Sequence, residues 1–260
     1  MGRRRKTPNA SPSTSIRQKA YLCIQRKIVT GVLASASPIS ELDLAKELGS
    51  SRTPIREAIS QLIAEGLLEH NQGGGVQVVQ LTRESIIDLY ELREALETYA
   101  LGKVARLGLM RANEKDGLQK IIDINLTLKD ELLASGEATL NAEQMNRFLA
   151  ADFSFHAHLI GLSQNARIHK VVNETRLLMR IFSLRGQNHG AAALDRIFQQ
   201  HKGLLDAIER QDAPTTIQIT GEHIQGSLRE RLEEFDQHMR AASIWESIPA
   251  FLEMYRPVKP

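Results

Sequence analysis

The sequence is short of several features that usually narrow a reading. One cysteine, Cys23, stands among 260 residues, so no disulfide can form within the chain and a reducing, cytoplasmic setting is expected. Aromatic residues are only 5% of the total, although 42% hydrophobic residues still allow a substantial core. Neither sign of charge dominates: the net charge is +2, so any contact with nucleic acid must come from local basic clusters. No apolar run approaches the roughly 20 residues of a membrane span. The first residues, Met1-Gly2-Arg3-Arg4-Arg5-Lys6, are basic but lack the apolar segment of a secretion signal. Lys6 also stands where a myristoylation motif requires Ser or Thr. Enzyme signatures are missing too. There is no His-Glu-x-x-His run, and Gly73–Gly75 precedes a β-prone run and lacks the Lys-Ser/Thr of a phosphate loop.

What is present is concentrated first in Ser51–Leu68. Ile55, Ala58, Ile59, Leu62 and Ile63 recur at three- and four-residue spacing and predict one buried helix face. Arg52 and Arg56 are four apart in the first turns of that helix, where Pro54 is tolerated and Ser51 or Thr53 can cap. Such an end offers two guanidinium groups beside hydroxyls and free backbone N–H groups. A recognition helix meets phosphates and guanine edges in a DNA major groove with this equipment. Upstream, Glu41–Leu48 predicts a short helix with Leu44, Ala45 and Leu48 inward, and Gly49-Ser50 supplies the turn. Downstream, Leu68–His70 and Val76–Val79 flank Asn71–Gly75 as a hairpin would. Ile16, Ala20, Ile24 and Ile28 supply an earlier helix that ends near Gly31, and Ser37-Pro38 leads into the next one.

Beyond Leu81-Thr82 there is almost no strand signal. Six helices are predicted, over Thr82–Leu107, Arg111–Ala134, Asn141–Leu162, Ala166–Arg185, Ala191–Arg210 and Ala213–His238. Asn141 and Asp212 are suited to N-caps, and Pro214 to a first turn. The expected organisation is a disordered basic arm over 1–14, a winged helix-turn-helix over 15–80, a helical bundle over 81–240 and a C-terminal extension over 241–260. The fold class is therefore mainly α: a winged helix-turn-helix with a small β-hairpin wing, then an antiparallel bundle of six to seven helices.

Polar residues interrupt the inner faces of that bundle. Asp152 and His156 lie within the stripe Met145, Phe148, Leu149, Phe155, Leu159. His201 falls in the middle of Leu194, Ile197, Phe198, Leu204, Leu205, and His223 shares a side with Ile217, Thr220, Ile224 and Leu228. Three inward imidazoles and a carboxylate can satisfy one another around a divalent metal. An inward His is more often a hydrogen-bonded core residue than a ligand, and an Asp–His pair four apart can be a buried salt bridge. His158 points away from His156, and His70, His169, His189 and His238 are expected at the surface. Arg93, between Leu89, Leu92 and Leu96, needs an anion: Glu97 or another internal acid, or a bound organic acid. Arg180, beside Met179, is a second candidate for the organic acid.

Ser40–Val79, with its Ser-Arg-Thr-Pro-Ile-Arg-Glu-Ala core and the following Glu65-Gly66-Leu67-Leu68, closely resembles the winged helix of the GntR family of bacterial transcription regulators. That resemblance implies DNA contacts from Arg52, Thr53 and Arg56, with Ser51 at the same helix end, and a wing tip near Gly74 approaching the minor groove. Leu42 departs from it, standing where many relatives carry Arg, so one DNA contact is absent. Thr82–Phe235 resembles the effector domain called FCD, whose metal-binding members show Asp, then His four residues on, then two further His on later helices. Asp152, His156, His201 and His223 match that order. The resemblance implies a non-enzymatic, ligand-responsive regulator, a repressor acting as a homodimer on pseudo-palindromic operator DNA. It further implies a divalent metal (zinc ahead of nickel or manganese) and a small carboxylate effector reached by Arg93 and Arg180. The competing readings are a metal-dependent hydrolase using the same ligands and a metal-free sensor of acyl-CoA type.

Overall fold

The computed structural model describes residues 15–80, 82–183 and 189–246, with the backbone alone at 29, 180–183, 238 and 241–246. The basic arm, the end of the fourth predicted bundle helix at Arg185, the His238 side chain and the extension from residue 241, with Trp245, lie outside the described residues or side chains. The chain divides into two compact units between Gln80 and Leu81.

The first unit opens with α1, Ile16–Val29, whose N-cap Ser15 accepts a hydrogen bond from Gln18 N. Ala20, Ile24 and Ile28 are fully buried on its inner face. Next come α2, Glu41–Glu47, and α3, Arg52–Ala64. They are separated by a turn at Gly49, whose φ of 58° is open to glycine and strained for most other residues. Ile55, Ala58, Ile59 and Leu62 form the buried face of α3, as their spacing predicts, and α1 packs against it. The hairpin is β2, Leu68–His70, paired antiparallel with β3, Val76–Val78. A third strand was not foreseen: β1, Pro38–Ile39, pairs with Val76 and Gln77 on the other side of β3. Two residues are too few to show an alternating pattern, and Pro38 sits on the edge strand, where its missing N–H matters least.

The second unit is helical throughout its described residues, an antiparallel bundle of α4 Arg83–Arg106, α5 Ala112–Ser135, α6 Ala142–Leu162, α7 Ala166–Ser183, α8 Ala191–Glu209 and α9 Ala213–Glu246. Capping explains the helix starts. Thr82 and Asn141 each form a reciprocal capping box, with Ser85 and Gln144, and Asp212 Oδ1 accepts from Thr215 N. α4 packs against α9, α7, α8 and α6, while α5 lies against α8 and α6. Among the described residues of this unit the core has two apolar clusters. One includes Leu101, Leu118, Phe155, Leu159 and Leu205, and the other Leu128, Leu132, Met145, Phe148 and Leu194. α6 and α8 contribute to both; Asp152 falls where α6 passes from one cluster to the other, and His156 and His201 sit among residues of the first.

Two expected core residues are outside. Leu92 is 42% exposed, and the inner stripe of α4 runs instead through Ile86, Tyr90, Arg93, Glu97, Ala100 and Val104. Leu92 is one residue, about 100° of helix, away from Arg93. Ile217 is likewise 41% exposed, and Thr216, Thr220, His223 and Ile224 carry the buried face of α9.

Candidate functional site

On the first unit, α3 starts at Arg52 with Ser51 as N-cap, but the Ser51 side chain makes no capping hydrogen bond. Ser51, Arg52, Thr53 and Arg56 are all exposed there, and so is Gly74 at the hairpin tip, with φ of 78°. Asn71 shapes that tip, its Oδ1 accepting from Gly73 N and Gly75 N at 3.0 and 2.9 Å. Both arginines are held by one acceptor on α2. Glu41 Oε2 receives Arg52 Nη2 at 2.7 Å and Arg56 Nε at 2.8 Å. The Glu41 carboxyl titrates below its ordinary range: partial burial would raise it, but hydrogen bonds from Arg52 and Arg56 outweigh that. Leu42, next to it, is 52% exposed.

The second unit brings together Asp152, His156, His201 and His223, from α6, α8 and α9. One potential ligand atom of each lies within 4.8 Å of all the others. The three imidazole centroids are 5.0–5.2 Å apart. Asp152 Oδ1 faces His156 Nε2 and His201 Nε2, each at 3.7 Å, too far for a hydrogen bond. Both ring nitrogens of His156 and Nε2 of His201 are buried with no hydrogen-bond partner. Orphans of this kind are rare in protein interiors and call for an explanation.

Around them lies a charged framework. Glu97 on α4 is fully buried, and its Oε1 accepts from Arg93 Nε at 2.8 Å and Arg176 Nε at 3.1 Å. Its Oε2 accepts from Arg176 Nη2 at 2.8 Å, and Arg176 Nη1 reaches Asp152 Oδ2 at 3.4 Å. Thus Arg176, on α7, ties the inner carboxylate to the carboxylate of the cluster. Glu97 Oε2 also lies 3.4 Å from His156 Nδ1, where it can orient that ring. His223 Nδ1 meets Gln200 Oε1 at 3.0 Å, an arrangement in which Nδ1 donates and Nε2 keeps its lone pair.

The electrostatics favour neutral imidazoles beside ionised carboxylates. Burial, with Arg176 close by, lowers the pKa of His156. Burial also lowers His201, well below its usual value, and brings His223 to about 3 with help from His156. Burial would raise Glu97, but Arg176 and Arg93 hold it well below the carboxylate range. Asp152 is likewise held low against burial by His156 and Arg176. Three neutral nitrogen donors and one carboxylate are a donor set that suits a divalent cation, and a cation would partner the orphaned Nε2 atoms of His156 and His201, leaving His156 Nδ1 on the Glu97 side. These residues therefore fit a metal site.

Asp152 and His223 open onto a cavity of about 120 Å³ whose lining also includes Tyr90, Arg93, Arg176 and His189. Tyr90, Arg176 and His189 are not singled out by the sequence. Arg176 follows Val172 by four residues and precedes Met179 by three, so its place on the inner face was readable from helical spacing. The side chain of Arg180, one turn later, lies outside the described side chains. His189 was expected at the surface but is only 9% exposed, packed edge-on against Phe148 with centroids 4.6 Å apart. It lies between α7 and α8, where no helical period reports burial. His158 and His70 are exposed as expected, and His169 is half-buried.

A winged helix with an arginine-bearing helix end, joined in one chain to a helical domain with an internal polar cavity, defines a DNA-binding transcription regulator. Comparison with known proteins fixes the family. Residues 16–78 match the model for bacterial regulatory proteins of the gntR family, and residues 88–226, over half the chain, match the FCD domain. The chain belongs to the GntR family and carries an FCD domain. It is 26% identical over 199 residues to a probable D-xylose utilization operon transcriptional repressor of Paenarthrobacter nicotinovorans, covering 76% of this chain and 81% of the relative. It is also 26% identical over 201 residues to the gluconate operon transcriptional repressor of Bacillus subtilis (strain 168), covering 75% and 76%. Among solved structures, E. coli McbR/YncC shares the fold with a TM-score of 0.70 at 16% identity, over 86% of this chain and 100% of that one.

Proposed function

We propose that this regulator is a repressor that binds a pseudo-palindromic operator as a homodimer and responds to a small carboxylate bound inside its helical domain. The operator contacts come from Arg52, Thr53 and Arg56 at the start of α3, beside Ser51, with Gly74 at the wing tip approaching the minor groove. Two-fold pairing of such modules reads two half-sites. Repression is supported by the names of the similar proteins above.

The observation that carries the sensing half is the cluster itself: orphaned imidazole nitrogens and a carboxylate converging beside a cavity lined by arginines. Asp152, His156, His201 and His223 hold a divalent cation in this reading, which supplies positive charge and coordination positions for an incoming carboxylate. Gln200 and Glu97 orient His223 and His156. Arg93 faces the cavity with one N–H on Glu97 and another 3.6 Å from the Met179 thioether, a weak acceptor that a carboxylate can replace. The Asp152 side chain is 27% exposed towards this space. The effector changes DNA affinity only if it binds the DNA-competent and DNA-incompetent forms differently.

The test uses operator DNA selected by the protein from random sequence and followed by fluorescence anisotropy. Organic acids are titrated with the protein as purified and after chelator treatment. The expected result is release of DNA by a carboxylate in the untreated protein and loss of that response after chelation. Equal responses before and after would contradict the metal-linked reading.

A further inference from the structure

One oxygen of Glu41 serves both arginines at the start of α3. Its Oε2 accepts from Arg52 Nε at 3.2 Å and Nη2 at 2.7 Å, and from Arg56 Nε at 2.8 Å. In both side chains the edge engaged is the one that carries Nε. Nη1 of Arg52 and both Nη atoms of Arg56 make no hydrogen bond among the described residues. The outer edge of each guanidinium, Nη1 with Nη2, therefore stays open, and such an edge presents parallel N–H groups to O6 and N7 of guanine.

The anchor belongs to a different helix. Glu41 opens α2 behind the N-cap Ser40, whose side chain accepts from Asp43 N, and its bonds to Arg52 and Arg56 span 11 and 15 residues of chain. The arginines are thus aimed before DNA arrives, and less rotamer freedom is left to lose on docking. The same carboxylate acts against phosphate. Glu41 is ionised, its carboxyl held below the ordinary range, and it offsets half the charge of the two guanidinium groups. Leu42, the next residue and 52% exposed, supplies no replacement charge. A phosphate must compete with Glu41 for Nε and is repelled by it, whereas guanine is a neutral acceptor that the outer edge meets with Glu41 in place. Non-specific binding to a duplex is almost wholly electrostatic, so a carboxylate here weakens it more than it weakens base reading.

We infer that Glu41 is a specificity-determining residue for the operator: it aims the outer edges of Arg52 and Arg56 at guanine and lowers their attraction for phosphate, so that this helix end discriminates bases instead of gripping any duplex. This rests on the proposal that the two arginines contact operator DNA.

The test compares the full chain with Glu41→Ala and Glu41→Gln on selected operator and on a duplex of scrambled sequence. Affinities are read by fluorescence anisotropy from about 50 to 200 mM salt. Glu41→Ala should bind the scrambled duplex about tenfold more tightly at the lower salt, with a salt slope steeper by about 1 per subunit. Its ratio of operator to scrambled affinity should fall by about tenfold or more. Glu41→Gln, isosteric but uncharged, should show the same gain on the scrambled duplex and an intermediate ratio, because its amide oxygen can still orient the arginines. An unchanged ratio in Glu41→Ala, or equal weakening on both duplexes as a merely structural role would give, would overturn the inference. Operator affinity equal to wild type in Arg52→Ala with Arg56→Ala would instead overturn the DNA-contact reading beneath it.

Discussion

Two glutamates in this chain are each gripped by two arginines, and they serve opposite ends. Glu41 holds Arg52 and Arg56 in side chains 55% and 59% exposed, while Glu97 holds Arg93 and Arg176 in side chains 4% and 6% exposed. The chemistry of the two trios is the same and the solvent differs. In water an ion pair adds little, about 0–1 kcal/mol, so the Glu41 trio keeps its arginines ordered yet ready to exchange one anion for another. DNA phosphates and guanine edges are the anions and acceptors this end is proposed to meet. Inside the bundle, removing one partner of a buried pair leaves an uncompensated charge, so the Glu97 trio is a fixed part of the frame. It positions His156 and Asp152 through Oε2 and Arg176. An arginine pair that grips DNA must therefore be exposed, and one that builds a site must be buried.

Three changes probe that contrast. The largest effect is expected for Glu97→Ala, which strands Arg93 and Arg176 together in the interior. Unfolding by urea should show a loss of about 3–5 kcal/mol; a loss near that of a surface substitution would mean that water reaches this trio as freely as it reaches Glu41.

Next comes acid. In the unfolded chain His189 titrates near its ordinary 6.5, and in the folded protein at about 4. As pH falls through this interval the unfolded state takes up a proton that the folded state refuses, so stability is present above the interval and is lost within it. His189→Gln should remove this contribution. Between those pH values the wild type should lose up to about 3 kcal/mol more than the variant, read from urea midpoints. Parallel pH profiles would show that this ring is not desolvated.

The third change acts on function and hardly on stability. Arg52→Ala with Arg56→Ala should weaken specific operator binding about a hundredfold, or about 2.7 kcal/mol, with unfolding free energy altered by under about 0.5 kcal/mol. Retained operator affinity would remove the exposed trio from the DNA interface.

Legibility in the sequence followed the same division between regular and irregular structure. Asp152, His156, His201 and His223 stood out because each breaks an apolar stripe of helical period, and the helices bearing them formed where the stripes lay. Glu97 was readable as the near partner of Arg93, four residues on, and the structure pairs them. Its second arginine is 79 residues away, a pairing that only tertiary packing creates. Arg176 was passed over because a charge on an amphipathic helix is usually solvated, and here a buried acid reverses that rule. His189 had no period to betray it, since it precedes α8 in a connecting segment. β1 was missed because its two residues have no alternation, and β3 alone gives them a partner.

Sensing by this protein depends on whether the four-residue cluster holds a cation. Elemental analysis of full-length protein purified without chelator, alongside its His201→Ala variant, measures that directly. One divalent ion per chain is expected in the wild type, and its loss in the variant. Wild type without metal, or a variant with the same content, would contradict it.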